Sequence, residues 1–301
     1  FVFSGATNFN GNIEGWDISN MVDTSGMFIT CENFNRNISN WDFSNVITCG
    51  GMFFGCTIFN QPIGVWNTSS MGTTEFMFTN AIAFNQDLSN WDVSKVEEMH
   101  FTFSGATAFN GSVLTWNTTL VERMDFMFQG CPNFNQPVSH FNTPNVTTMF
   151  GMFAGCTVFD QAVPFNTSNV TSFTAMFSAA SVFNQAVPFD TSSATTMHVM
   201  FAQADLFNQA VDHFDVSNVT NFSEMFRSAD SFNQPMTSWV TSSATNMTGM
   251  LAGPVNFNQP LNHFITTNVT SMLEMFDTTP SFNQDISSWN VRVVNDMTRM
   301  L

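Results

Sequence analysis

The chain has no tyrosine, and only 10% of its 301 residues are charged. Basic residues are scarce: six Lys and Arg stand against 23 Asp and Glu, for a formal net charge of −17, and Lys95 is the only lysine. A nucleic-acid partner needs a basic stripe to neutralise phosphates, and six scattered cations do not make one. The same shortage disfavours an anionic membrane surface. No apolar run approaches the ~18 residues of a membrane span. The sequence opens without a signal peptide and without Met, so Phe1 reads as an internal start, from a processed chain or an excerpt of a longer one. What is present is apolar: 44% hydrophobic residues, with 37 Phe and 21 Met. That is enough for a large core and argues against disorder.

Self-similarity organises these residues. A Phe-Asn pair recurs with its Phe at 9, 34, 59, 84, 109, 134, 159, 183, 207, 232, 257 and 282. The spacing is 25 residues, except for two spacings of 24 around Phe183. Seven residues past the anchor stands an aromatic, as at Trp16, Trp41, Trp91, Phe141, Phe214 and Trp289; in the two short repeats Phe165 and Phe189 stand six past it. A Met-Phe pair follows in nine repeats, from Met27-Phe28 to Met275-Phe276.

In-register repeats of this length predict a solenoid, because one coil cannot bury its apolar residues alone. Burial of each large side chain contributes ~1.5–3 kcal/mol, while ordering each residue costs ~1–2 kcal/mol. We therefore expect one continuous stack over 1–301, with about twelve coils of 25 residues. The spacing of Ile286, Trp289 and Val291 predicts a short parallel β-strand around the aromatic. The spacing of Val146, Met149, Met152 and Phe153 predicts a short helical or 3-10 turn, capped at Gly155.

The pattern Phe-Asn-Gln, then Trp-Asp-Val-Ser, then Met and Phe resembles the BspA-like leucine-rich-repeat surface proteins. It is clearest in the stretch "FNQDLSNWDVSKVEEMHFTFSGATAF" from Phe84 to Phe109. The resemblance runs over essentially the whole chain. It implies a right-handed, leucine-rich-repeat-like solenoid, an extracellular or cell-surface setting, and a role in adhesion. It implies no enzyme, and no catalytic residue carries over. The chain departs from the pattern by placing Phe for Trp in five coils and by dropping a residue in two.

Several columns are candidate sites. Asn follows the anchor at Asn10, Asn35, Asn60, Asn85, Asn110, Asn135, Asn184, Asn208, Asn233, Asn258 and Asn283. Stacked Asn side chains satisfy backbone groups at a turn, so this ladder reads as structural. Asp17, Asp42, Asp92, Asp190 and Asp215 follow the aromatic, but Asn67, Asn117, Asn142, Asn166 and Asn290 interrupt them, which suggests an Asx-turn and not a calcium site.

Of the five histidines, His140, His213 and His263 share the column before the aromatic, in non-adjacent coils, while His100 and His198 lie elsewhere. No zinc site follows. Cys31 and Cys56, and likewise Cys131 and Cys156, are 25 residues apart in one column. Same-column Cα atoms in adjacent coils fall within the ~4.4–6.8 Å disulfide range, so each pair is either a coil-to-coil staple or two buried thiols. Cys49 lies in a Met column and reads as a free core thiol.

Asn-x-Ser/Thr sequons occur at Asn37, Asn67, Asn110, Asn117, Asn145, Asn166, Asn169, Asn218, Asn221, Asn246 and Asn268. They would carry glycan in a eukaryotic secreted protein, although "NVT" also belongs to the repeat itself. Thr147, Thr171, Thr195, Thr220, Thr245 and Thr270 form a regular array of the kind that orders water on a flat face, but the helical spacing nearby argues against a flat sheet there.

No motif calls for a metal or cofactor, and no loop or acid–base pair interrupts the repeat as an active site would. The reading is a non-enzymatic adhesion or partner-binding protein that meets other proteins or glycans through the solenoid face. The alternative is a structural subunit of a surface filament, appendage or sheath, built from copies of itself packed end to end or side by side.

Overall fold

A short repeat that cannot close on itself must find partners for its backbone polar groups in a neighbouring repeat. The computed structural model, which describes residues 2–301, shows where those partners are. Across the Met-Phe segment, alternate N–H groups point to the following repeat. Thr24, Gly26, Phe28 and Thr30 donate to the carbonyls of Thr48, Gly50, Met52 and Phe54 at 2.7–3.0 Å. The N–H groups between them turn back three residues, Met27 to Thr24, Ile29 to Gly26 and Cys31 to Phe28. The same alternation recurs where Phe201 and Gln203 donate to Met225 and Arg227.

This arrangement corrects the expected helical turn. A helix would direct successive N–H groups along its own axis. Here every second one leaves the repeat, because residues four apart take positive φ, as at Gly26 (60°) and Thr30 (56°) or Gly151 (57°) and Gly155 (74°). Inward side chains still recur about every three residues in this ribbon of tight turns, which is why Met149, Met152 and Phe153 mimic a helical period. Among the described residues the one helical segment is a 3-10 turn at Ile63–Val65, just before Trp66 and not at the Met-Phe pair.

The parallel pairing also differs from expectation in place and length. It is one residue wide per repeat and lies seven residues beyond the aromatic, at Asp23 for Trp16. Asp23, Thr48, Thr73, Glu98 and Arg123 form one such line, and Thr148, Ser172, Thr196, Asn221, Asn246, Ser271 and Asp296 another. Around the aromatic itself the chain turns, with the Trp41 and Trp91 N–H groups bonded back to Ile38 and Leu88.

The chain divides into two compact units, one of Phe1–Val146 with Gly155–Gln161, the other of Thr147–Ala154 with Ala162–Leu301. In the first, Phe28, Phe53, Phe78, Phe103 and Phe128 stack at centroid distances of 5.4–5.7 Å with rings within 7° of parallel. The anchors Phe34, Phe59, Phe84 and Phe109 stack beside them at 5.8–6.0 Å. In the second, Phe153, Phe177, Phe201 and Phe226 repeat the first column at 5.6–5.7 Å. Each such pair adds ~0.5–1.5 kcal/mol beyond its burial. These rings are fully buried, so a tyrosine hydroxyl there would need a partner in an apolar column.

Candidate functional site

A binding surface must be made of side chains that the stack does not use, so the internal bonds come first. In the Asn ladder, the Oδ1 of Asn60 accepts the Asn85 backbone N–H at 2.9 Å and the Gln86 amide at 2.7 Å. The same pair of bonds joins Asn208 to Asn233 and Gln234. This explains why Gln so often follows Asn: both bond through the side chain of the Asn one repeat earlier. The acidic column forms Asx-turns, with Asp17, Asp42, Asp92, Asp190 and Asp215 each accepting the N–H two residues on. Asn67, Asn117 and Asn166 do the same without charge.

One internal column was missed from the sequence. Two residues past the aromatic, Thr68, Thr118, Thr167, Thr191, Thr241 and Thr266 are buried and donate Oγ–H to the carbonyl of the next repeat at 2.8–3.1 Å. The signal was available, because Thr alternates there with Ile, Phe and Val, a mixture expected of a buried position.

The cysteines are not bridged. Cys31, Cys49, Cys56, Cys131 and Cys156 are all buried free thiols. The Sγ atoms of Cys31, Cys56, Cys131 and Cys156 point to the carbonyls of Phe3, Phe28, Phe103 and Phe128, each at 3.0 Å. Each thiol is thus directed at a backbone acceptor and not at the neighbouring thiol. Burial pushes all five thiols up from their ordinary range.

Nine of the eleven sequon asparagines are exposed, while Asn221 and Asn246 lie half-buried on the parallel-bridge line. The amide nitrogens of Asn145, Asn218 and Asn268 donate to Thr119, Ser192 and Ser242 carbonyls of the preceding repeat, so a glycan there would share its nitrogen with a bond within the stack. The hydroxyls of Thr171, Thr195, Thr220, Thr245 and Thr270 each bond to the carbonyl of the Thr before. They lie on an exposed, uncharged strip of the second unit.

One face of the first unit breaks the pattern. At the first positive-φ position the repeats carry Gly26, Gly51, Gly151, Ala175 and Gly249, or the single variants Val199, Glu224, Glu274 and Arg299, but three successive ones carry Phe76 (55°), Phe101 (56°) and Phe126 (54°). Positive φ costs a bulky residue ~1–3 kcal/mol, and such outliers concentrate at functional positions. The three half-buried rings stack, Phe76 on Phe101 at 4.9 Å and Phe101 on Phe126 at 4.6 Å. Beside them, buried His100 lies between two carboxylates, with Nε2 3.3 Å from Glu75 and Nδ1 3.0 Å from Glu98. Arg123 meets Asp125 at 3.1 Å, and Lys95, Glu97 and Glu122 stand exposed along the same repeats. The carboxylates lie on opposite sides of one imidazole and do not converge on a point. Among the described residues no group of three His, Cys, Asp or Glu is placed to hold a metal ion. The arrangement is suited to recognition: a short aromatic ladder flanked by charges of both signs, mainly acidic.

These observations define a tandem-repeat protein whose repeats bond to their neighbours through backbone and side chain alike. The chain belongs to the family described as Mycoplasma protein of unknown function, DUF285, which matches it at residues 1–113, 84–188, 162–264 and 239–301. No curated protein and no solved structure matches it.

Proposed function

We propose that this chain is a non-enzymatic, leucine-rich-repeat-like solenoid of the BspA-like kind. It works at a cell surface or outside the cell and binds protein or glycan partners through one lateral face. The face is that of Phe76, Phe101 and Phe126 with Glu75, Glu98 and Arg123, and the buried His100 and Asp125 hold those charges from beneath. The observation that carries this reading is the run of three Phe at positive φ, where neighbouring repeats place Gly26, Gly51 and Gly151. Packing alone does not require those rings, and their stacking offsets a backbone cost that glycine avoids.

The test replaces all three with Gly, which the backbone already favours, and compares binding to an array of immobilised glycans and extracellular-matrix proteins. The expected result is unchanged folding with at least tenfold weaker retention on whichever surface holds the unaltered chain. Equal retention by the two proteins would refute this face. Polymers seen by electron microscopy without any added partner would favour the filament reading.

A further inference from the structure

Trp41, Trp66, Trp91, Trp116, Trp239 and Trp289 each donate their indole Nε1–H to a carbonyl 28 residues earlier, at 2.9–3.2 Å. The acceptors, such as Ile38, Leu88 and Val211, all stand four residues past an anchor Phe. Each indole N–H is thereby satisfied inside the core.

Three repeats carry Phe141, Phe214 and Phe264 in place of Trp, and in all three the residue before it is histidine. The Nε2 of His140, His213 and His263 meets the carbonyls of Val113, Val187 and Met236 at 2.9, 2.9 and 2.8 Å. These carbonyls belong to the same column that accepts the indoles. Each imidazole stands edge-on to its Phe, at centroid distances of 4.9–5.0 Å and interplanar angles of 72–85°. Phe264 meanwhile keeps the stacking position, 6.3 Å from Trp239 and 6.4 Å from Trp289.

We infer that His-Phe is a split tryptophan: Phe supplies the stacked ring and the preceding His supplies the N–H. The acceptor has a second bond to satisfy in each case, since Val113 also accepts the Trp116 N–H and Met236 that of Trp239. A carbonyl oxygen has two lone pairs, so both bonds fit. The tautomer follows, with the proton on Nε2, because a carbonyl only accepts. The three histidines are therefore positioning residues for the stack, and their common column reflects this one bond. The two short repeats place Pro164 and Pro188 before Phe165 and Phe189, so they lack this His-Phe pair.

The experiment is a swap read by amide hydrogen exchange and imidazole 15N shifts. His140→Ala is expected to speed exchange of the Trp116 amide about tenfold, the size of one lost buried hydrogen bond. His140→Asn combined with Phe141→Trp, the pairing found at Asn40-Trp41 and Asn90-Trp91, is expected to return it to within about twofold. The matching swap at His263 and Phe264, read at the Trp239 amide, is an independent trial should the first variant not fold. Exchange as fast in the swap as in the alanine variant would overturn the inference, and so would a 15N spectrum placing the proton on Nδ1.

Discussion

Thr68→Val tests whether side chains, and not strands, hold neighbouring repeats together around the aromatic. Thr68 is 1% exposed, and its Oγ donates to the Asp92 carbonyl at 3.1 Å while accepting the Asp92 N–H at 2.8 Å. Valine is close in shape and stands in this column at Val93 and Val216, so space is not the issue. The substitution removes two hydrogen bonds, each contributing ~0.5–1.5 kcal/mol net, and adds a buried methyl that returns about 0.8 kcal/mol. With each bond at its central ~1 kcal/mol, the balance is a loss of about 1.2 kcal/mol, or roughly an eightfold shift in the local opening equilibrium. Native-state hydrogen exchange at the Asp92 amide reads this directly, since repeat arrays open locally. Thr68→Ser is the control, because it keeps the hydroxyl and loses only the methyl. Exchange changed less than twofold by Thr68→Val, or changed equally by both variants, would refute the reasoning.

A methyl at Gly64 or Gly111 would overlap the carbonyl oxygen of Asp87 or Gln86, whereas at Gly15 nothing lies within 4 Å. Gly64→Ala and Gly111→Ala are therefore expected to lower the melting temperature by several degrees and Gly15→Ala to leave it unchanged, as thermal denaturation would show. The side-chain hydroxyls of Ser19, Ser44, Ser94, Ser192 and Ser217, followed by their N–H groups, hold the carboxyls of Asp17, Asp42, Asp92, Asp190 and Asp215 below their ordinary 3.8. Depressed folded values mean that this stabilisation is present above pH 3.8 and is lost as pH falls through the lower folded values. Circular dichroism on acidification should show that loss, and Asp92→Asn, which copies Asn67, should reduce it while keeping the turn. The five buried thiols should ignore a thiol reagent in the native protein and all react after unfolding. A non-reducing peptide map joining Cys31 to Cys56 or Cys131 to Cys156 would contradict this.

Much of the stack was legible because its ladders run through repeated residue types. The Phe-Asn anchor, the aromatic column and the Met-Phe pair announced which side chains are buried. The Asx-turn was visible wherever Asp17 and Asn67 alternate in one column, since only the side-chain oxygen is common to both. The backbone was misread at the Met-Phe segment because apolar spacing reports which residues face inward, not where the N–H groups point. Positive φ at Thr30, Phe101 or Val199 leaves no mark in residue type, for these are not residues that favour it. The aromatic face around His100 was equally hidden: Phe76, Phe101 and Phe126 looked like more of the same abundant residue.

The sequence by itself determined the period, the apolar columns, and the excess of 23 Asp and Glu over six Lys and Arg, because these depend on composition and spacing alone. Only the tertiary structure decided that the cysteines remain thiols, that Thr68 and its column bond the repeats, and that His140, His213 and His263 take over the bond of the missing indole. Each of those outcomes depends on the direction of a hydrogen-bond donor toward a carbonyl about one repeat away. A one-dimensional pattern can place two residues in neighbouring coils, but it does not orient the bond between them.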